Sequence, residues 1–239
     1  MGGLTPPGWQ ADKERLPAIR QHQQEVWGRY AKLARQYTKG YDGKIIVVCN
    51  GDAIDGTRNV GECLTNDRTE QVAMAAACLS KWGADEYFFT GGTPVHTGKE
   101  EHWEKVLADR FDAALHPALH LDVNGRLFYF RHKVGRSSVF HGRHTAPAKV
   151  RLWQELGAER DKASIICLSH VHYHTFAGGP DWLAMTLPAL QTFTDYGTRE
   201  CDGHVDWGIV VFDVDERGEY DWKAKTTRLE PFIENRRQA

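Results

Sequence analysis

Four separated stretches of this chain carry side chains that could hold a cation. Asp52 directly follows Gly51, and Asp55 stands three residues later. His96 closes the stretch Gly91-Gly92-Thr93-Pro94-Val95-His96. His132 ends an apolar and aromatic run. His170 and His172 flank Val171, and His174 continues the same alternation. Carboxylate and neutral imidazole together suit zinc, manganese or iron. A lone histidine is ordinarily a satisfied surface or core residue, and a lone aspartate after a strand ordinarily caps a turn. Three alternating histidines behind an apolar run are harder to read that way. In extended backbone, residues two apart point to one side, so His170 and His172 are expected to face the same way.

The positions of these groups follow from the elements that precede them. Ile45-Ile46-Val47-Val48-Cys49 is apolar, mostly β-branched and bounded by Gly51, which predicts a strand buried on both faces. Glu86–Thr90 and Ala163–Leu168 read the same way, and both stop just before a candidate ligand. In open α/β sheets ligands sit beyond the carboxyl ends of the strands. If these strands are neighbours, Asp52, His96, His170 and His172 meet on one edge. His132 is preferred over His141 and His144 as a further ligand, because its strand stops there and a turn begins at Val134-Gly135. His102, His116, His120 and His204 are left as structural.

Around these strands the periodicity predicts helices at 11–37, 69–82, 99–114 and 147–157. It predicts a hairpin of 119–123 with 126–133 turning at Asn124-Gly125. Antiparallel strands are expected at 182–187, 207–214 and 219–227. No repeat, low-complexity tract or linker interrupts the sequence, so one α/β domain over 1–239 is expected.

Bulk composition narrows the classes. Hydrophobic residues make up 41% and charged residues 26%, ordinary for a globular protein able to bury a core without cross-links. The net charge of −2 and the lack of a Lys/Arg block neither announce nor exclude nucleic acid as a ligand. The five cysteines are odd in number and form no Cys-x-x-Cys pair, which fits a reducing cytoplasm. Met1–Gln10 is polar and Gly/Pro-rich, unlike a secretory leader, and no apolar run approaches the ~18 residues of a membrane span.

Gly51-Asp52 with Asp55, the Gly-rich turn ending in His96, the lone His132 and His170-x-His172 together resemble the calcineurin-like metallophosphoesterases. The order and strand contexts match across most of the chain. The Gly-Thr-Pro-x-His variant and Pro188-Ala189-Leu190 are similar to phage- and prophage-type members. The resemblance implies a four-layer αββα sandwich of two mixed sheets flanked by helices. It implies a two-metal centre, with Asp52 bridging, His132 and His170 on one ion and His172 on the other. It further implies a metal-dependent phosphoesterase that hydrolyses phosphate esters, above all phosphodiesters with nucleic acid among them. Manganese is the expected ion, with zinc and ferrous iron as alternatives, one or two per chain. His96 is the expected general acid, and Arg136 and Arg143 are candidates for phosphate contact.

Two features depart from the family. Thr93 stands where an asparagine ligand is usual. The usual opening strand ending in Asp-x-His is not found ahead of Asp52, so the first ion is expected to lack two ligands and the sheet one strand. A non-catalytic relative, acting as a metal-binding or protein-interaction module, is the alternative expectation.

Overall fold

The computed structural model describes residues 3–56, 64–98, 102–135, 137, 139–157, 162–192 and 205–228. Helix α1 (Pro17–Thr38) buries Ile19, Gln23, Val26, Tyr30 and Ala34, a stripe at three- and four-residue spacing. It starts six residues later than the periodicity suggests. The Asp12 carboxylate accepts from the Glu14 and Arg15 N–H groups in a turn, and the Ala11 N–H donates to Gln23 Oε1 at 2.7 Å. Pro17 then opens the helix, where its missing N–H is harmless. Helix α2 (Arg68–Ser80) is capped by Asp67, whose Oδ1 accepts from the Thr69 and Glu70 N–H groups. Of the expected helix at 99–114, whose first three residues lie outside the described ones, the structure forms α4 (Trp103–Asp109), after which the chain turns at Asp112 with φ 53°, and a separate short helix, α3 (Pro94–Thr97), precedes it.

Strands β1 (Ile46–Asn50), β2 (Glu86–Thr90) and β3 (Leu115–His116) form a parallel sheet in the order β1-β2-β3. A second sheet has the order β4-β5-β6-β8-β7. It is built from β4 (Leu119–Val123), β5 (Arg126–Lys133), β6 (Ile165–Ser169), β7 (Thr175–Gly179) and β8 (Trp182–Thr186). The β4–β5 hairpin turns at Asn124 and Gly125, both with positive φ, as Asn-Gly favours. Strands β9 (Asp206–Val214) and β10 (Tyr220–Arg228) pair antiparallel. Helix α5 spans Thr145–Leu156.

Side-chain alternation stacks these parts into four layers. Cys49 and Phe89 face α2 and α4, packing with Val72, Leu107 and Ala108. Val48 and Phe88 point the other way, onto Phe128, Ile165 and Met185 of the second sheet. From the far face of that sheet Ile166, Leu168 and Ala184 meet Val150 of α5. The α/β sandwich flanked by helices is therefore present, with three corrections. The first sheet is parallel rather than mixed, and β9–β10 stands apart from it. The segment expected as antiparallel at 182–187 runs parallel to β6 and antiparallel only to β7, a strand whose two glycines hid it. Strand β1 is not buried on both faces. Ile46 to Cys49 are half-buried throughout, whereas Ile165–Leu168 of β6 are fully buried.

Candidate metal centre

Asn50 ends β1 as a buried polar residue and ties four strand ends together. Its Nδ2 donates to Ser169 Oγ at 2.8 Å and to the carbonyls of Arg131 and Cys167 at 3.3 Å each, while Oδ1 accepts from Thr90 Oγ1 at 2.6 Å. The carboxyl ends of β1, β2, β5 and β6 are thereby drawn to one point. His132 sits there at a break in the β5–β6 register, between Arg131 and Lys133. Such an irregularity re-aims a side chain out of the ladder. The His132 ring is buried, with Nδ1 at 2.7 Å from the Asn50 carbonyl.

The loop after β1 then turns sharply. Gly51 has φ 79°, and a Cβ there would lie 2.5 Å from His132 Nδ1. Asp52 follows with φ 53°, an uncommon state for a non-glycine residue. Its Oδ1 accepts from the Thr93 N–H at 2.6 Å and from Thr93 Oγ1 at 3.2 Å. Thr93 thus holds Asp52 rather than standing apart from it. Gly92 makes room for this, because a Cβ there would overlap both Asp52 Oδ1 and the Asp52 backbone nitrogen. Glu104, 1% exposed on α4, locks the two loops by accepting from the Ala53 N–H at 2.8 Å and the Gly92 N–H at 2.6 Å.

With Oδ1 occupied, Asp52 Oδ2 faces imidazoles. His132 Nε2 lies 2.8 Å away, His96 Nε2 3.8 Å and His170 Nδ1 3.8 Å. The donor atoms of Asp52, His132 and His170 all fall within 4.8 Å of one another. His96 is held by a contact of 2.9 Å between its Nδ1 and the Ile54 carbonyl. His170 and His172 have φ 78° and 55°, so they do not lie in the extended backbone that equal parity assumes. Strand β6 stops at Ser169, and Val171 and Tyr173 turn into the core. His170 reaches the Asp52 group. His172 lies outside that three-residue cluster, and burial pushes its pKa down to about 4. Left-handed backbone at Asp52, His170 and His172 costs on the order of 1–3 kcal/mol each and persists where surrounding structure enforces it.

The remaining sequence candidates sit elsewhere. His174 Nδ1 contacts the Thr186 carbonyl at 2.8 Å, and His144 contacts Thr175 Oγ1. His141 is exposed. The Arg143 guanidinium lies over the Tyr173 and Phe140 rings, at 4.6 and 5.6 Å from their centroids. Arg136 lies outside the described residues. Asn50 and Glu104 have no place in the sequence reading. A polar residue closing an apolar strand was the available signal for Asn50, and Glu104 offered none.

The charges agree with a cation site. Burial opposes ionisation of Asp52, but the His132 and His170 rings beside it, with His96, more than offset that, and the carboxyl is held well below the usual range. Burial likewise disfavours a charged His132, and Asp52 outweighs it, so its pKa is raised. Donation from His132 Nδ1 to the Asn50 carbonyl leaves Nε2 presenting a lone pair to Asp52. Two acceptors at 2.8 Å repel unless a proton or a cation lies between them. Nε2 is buried and makes no aligned hydrogen bond. The separation of His170 Nδ1 from Asp52 Oδ2 suits shared coordination. Donors ~2.1 Å from one ion and about 100–130° apart stand roughly 3.2–3.8 Å apart. The residues therefore fit a divalent ion held by Asp52, His132 and His170.

No protein-family model matches the chain, and no curated protein matches it. Among solved structures it is similar to one described as a novel archaeal phosphodiesterase, at 13% identity and TM-score 0.46, covering 82% of this chain and 92% of that one. It is also similar to Vps29 from Entamoeba histolytica complexed with zinc, at 10% identity and TM-score 0.44, covering 85% and 88%. Similarities this low assign no activity to the present chain.

Proposed function

We propose that this chain is a metal-dependent phosphoesterase acting on phosphodiesters, nucleic acid among them, with manganese as its working ion. One observation carries the reading. A carboxylate with one oxygen pinned by Thr93 turns its other oxygen to three imidazoles at the carboxyl ends of parallel strands. Asp52, His132 and His170 would hold the ion, which when bound supplies a water of lowered pKa and polarises phosphate oxygens. Thr93 and Glu104 keep Asp52 in place. Asn50 fixes the His132 tautomer through its carbonyl. His96 is oriented by the Ile54 carbonyl and stands beside Asp52 from another loop, a position from which it can deliver a proton to a leaving alkoxide.

A second reading, a metal-binding module without catalysis, is favoured by the single three-donor cluster found among the described residues. Purified protein assayed for bound metal, then for hydrolysis of bis(p-nitrophenyl) phosphate with added manganese, separates the two. Turnover that disappears in His96→Ala with the metal retained supports the enzyme. Bound metal without turnover supports the module.

A further inference from the structure

On the solvent side of α5, Thr145, Lys149 and Trp153 recur every four residues, so they stand in one row, about 6 Å apart along the helix. All three are exposed, and Trp153 keeps 72% of its surface in solvent. The row lines a cavity of about 450 Å³ between α5 and the far face of the second sheet, with Val134 and Val150 as apolar walls. Arg131 closes it from β5. Leu127 and Tyr129, on the same alternation as Arg131, pack in the cluster around Val150, so Arg131 points to the α5 side of the sheet. No residue that lines this cavity also lines the one holding Asp52, His132 and His170. Its charge is of one sign, because no acidic side chain lines it. Glu155, the one carboxylate of α5, pairs instead with Arg151 and Lys162. Among the described residues Arg131 Nε is buried without a hydrogen-bond partner, and neither Arg131 nor Lys149 has a carboxylate beside it. A buried, unmatched donor on a cation is costly, and an anion in the cavity would relieve it.

We propose that this cavity binds a nucleoside monophosphate, at a site separate from the metal centre. The phosphate lies between Arg131, Lys149 and the Thr145 hydroxyl, and the base stacks on the Trp153 indole. A guanidinium offers a planar fork of donors that matches phosphate oxygens, and an ammonium adds a point charge. Aromatic side chains hold bases by stacking whatever their sequence. One step of four residues, about 6 Å along α5, separates Lys149 from Trp153, which is the reach from phosphate to base within a single nucleotide. The cavity volume falls in the ~300–1,000 Å³ range of small-ligand sites. Leu152 and Leu156 are exposed on α5 as well but do not line the cavity. An apolar protein contact would cover them with Trp153 and leave both cations unmatched, so the lining favours the nucleotide.

The test is calorimetric titration of the full 239-residue chain, in chelator and at low salt, with AMP, adenosine and inorganic phosphate as separate probes. AMP should bind, and the other two should bind roughly 10–100-fold more weakly, phosphate for want of the stacked base and adenosine for want of the charge. Trp153→Ala should reduce AMP to about the affinity of phosphate. Lys149→Glu should weaken AMP by about 10-fold or more and leave adenosine unchanged. Both residues are exposed on α5, so the fold survives either change, and matching thermal melts verify it. Asp52→Asn should bind AMP as the unaltered chain does. Absence of AMP binding, AMP no tighter than phosphate or adenosine, or affinity unmoved by both α5 substitutions overturns the proposal. Loss of AMP binding in Asp52→Asn puts the nucleotide in the metal cavity and overturns it too. The readout involves neither bound metal nor turnover, so failure here leaves the phosphoesterase reading standing, and failure of that reading leaves this site standing.

Discussion

Replacing Asn50 by Asp changes one atom and inverts one end of the side chain. The amide nitrogen faces the Arg131 and Cys167 carbonyls, which can only accept, so the donor end of Asn50 is fixed by its surroundings. A carboxylate oxygen there faces two carbonyl oxygens at about the same 3.3 Å. The Ser169 hydroxyl can turn to donate, and the Thr90 hydroxyl still does, so roughly half the site stays satisfied. The cost is then that of a charge left in a residue 8% exposed with two repelling partners, about 3–5 kcal/mol. For a domain of this size that lowers the melting temperature by roughly 6–20 °C. Protonation restores a donor, so the aspartic acid has a raised pKa in the folded state. For a raised acid the penalty is absent below the unfolded pKa of ~3.9 and grows as pH rises above it. Urea denaturation of wild type, Asn50→Asp and Asn50→Ala from pH 4 to 8 reads this directly. The difference between Asn50→Asp and wild type should shrink to about 1 kcal/mol near pH 4, whereas that for Asn50→Ala should stay constant. A penalty below 1 kcal/mol at pH 7, or one that does not vary with pH, refutes the role given to Asn50.

Gly92→Ala should weaken metal binding at least 10-fold, measured by competition with a chelating dye, because the added methyl displaces Asp52 from Thr93. His170→Ala should lose more metal than His172→Ala, since His170 is inside the three-donor cluster and His172 outside it; equal losses by elemental analysis would contradict this. The metal-free protein should be most stable near pH 6.5, with the optimum read from melts in chelator. His172 has a depressed pKa of about 4, so it lowers stability as pH falls from ~6.5 toward 4. His132 has a raised pKa, so its contribution is complete below ~6.5 and is lost as pH rises through the folded value. Asp52, with its depressed pKa, keeps its contribution throughout that window.

Much of the site was legible because short apolar strands advertise their own ends. Ile45–Cys49 and Ala163–Leu168 are too apolar and β-branched to be much else, and Asp52 and His170 stand where such strands stop. His132 was legible for the same reason, although the register break that aims it was not. The geometry at His170 and His172 was not, because the alternation rule holds only in extended backbone and both residues are left-handed. Glu104 could not be found, since its function depends on packing α4 beneath two loops distant in sequence.

The most direct test of the central claim is an anomalous-difference map from crystals grown with manganese. The account predicts a peak within about 2.3 Å of Asp52 Oδ2, His132 Nε2 and His170 Nδ1, absent in Asp52→Asn. No peak at that position in protein shown to bind manganese, or an undiminished peak in Asp52→Asn, would contradict it.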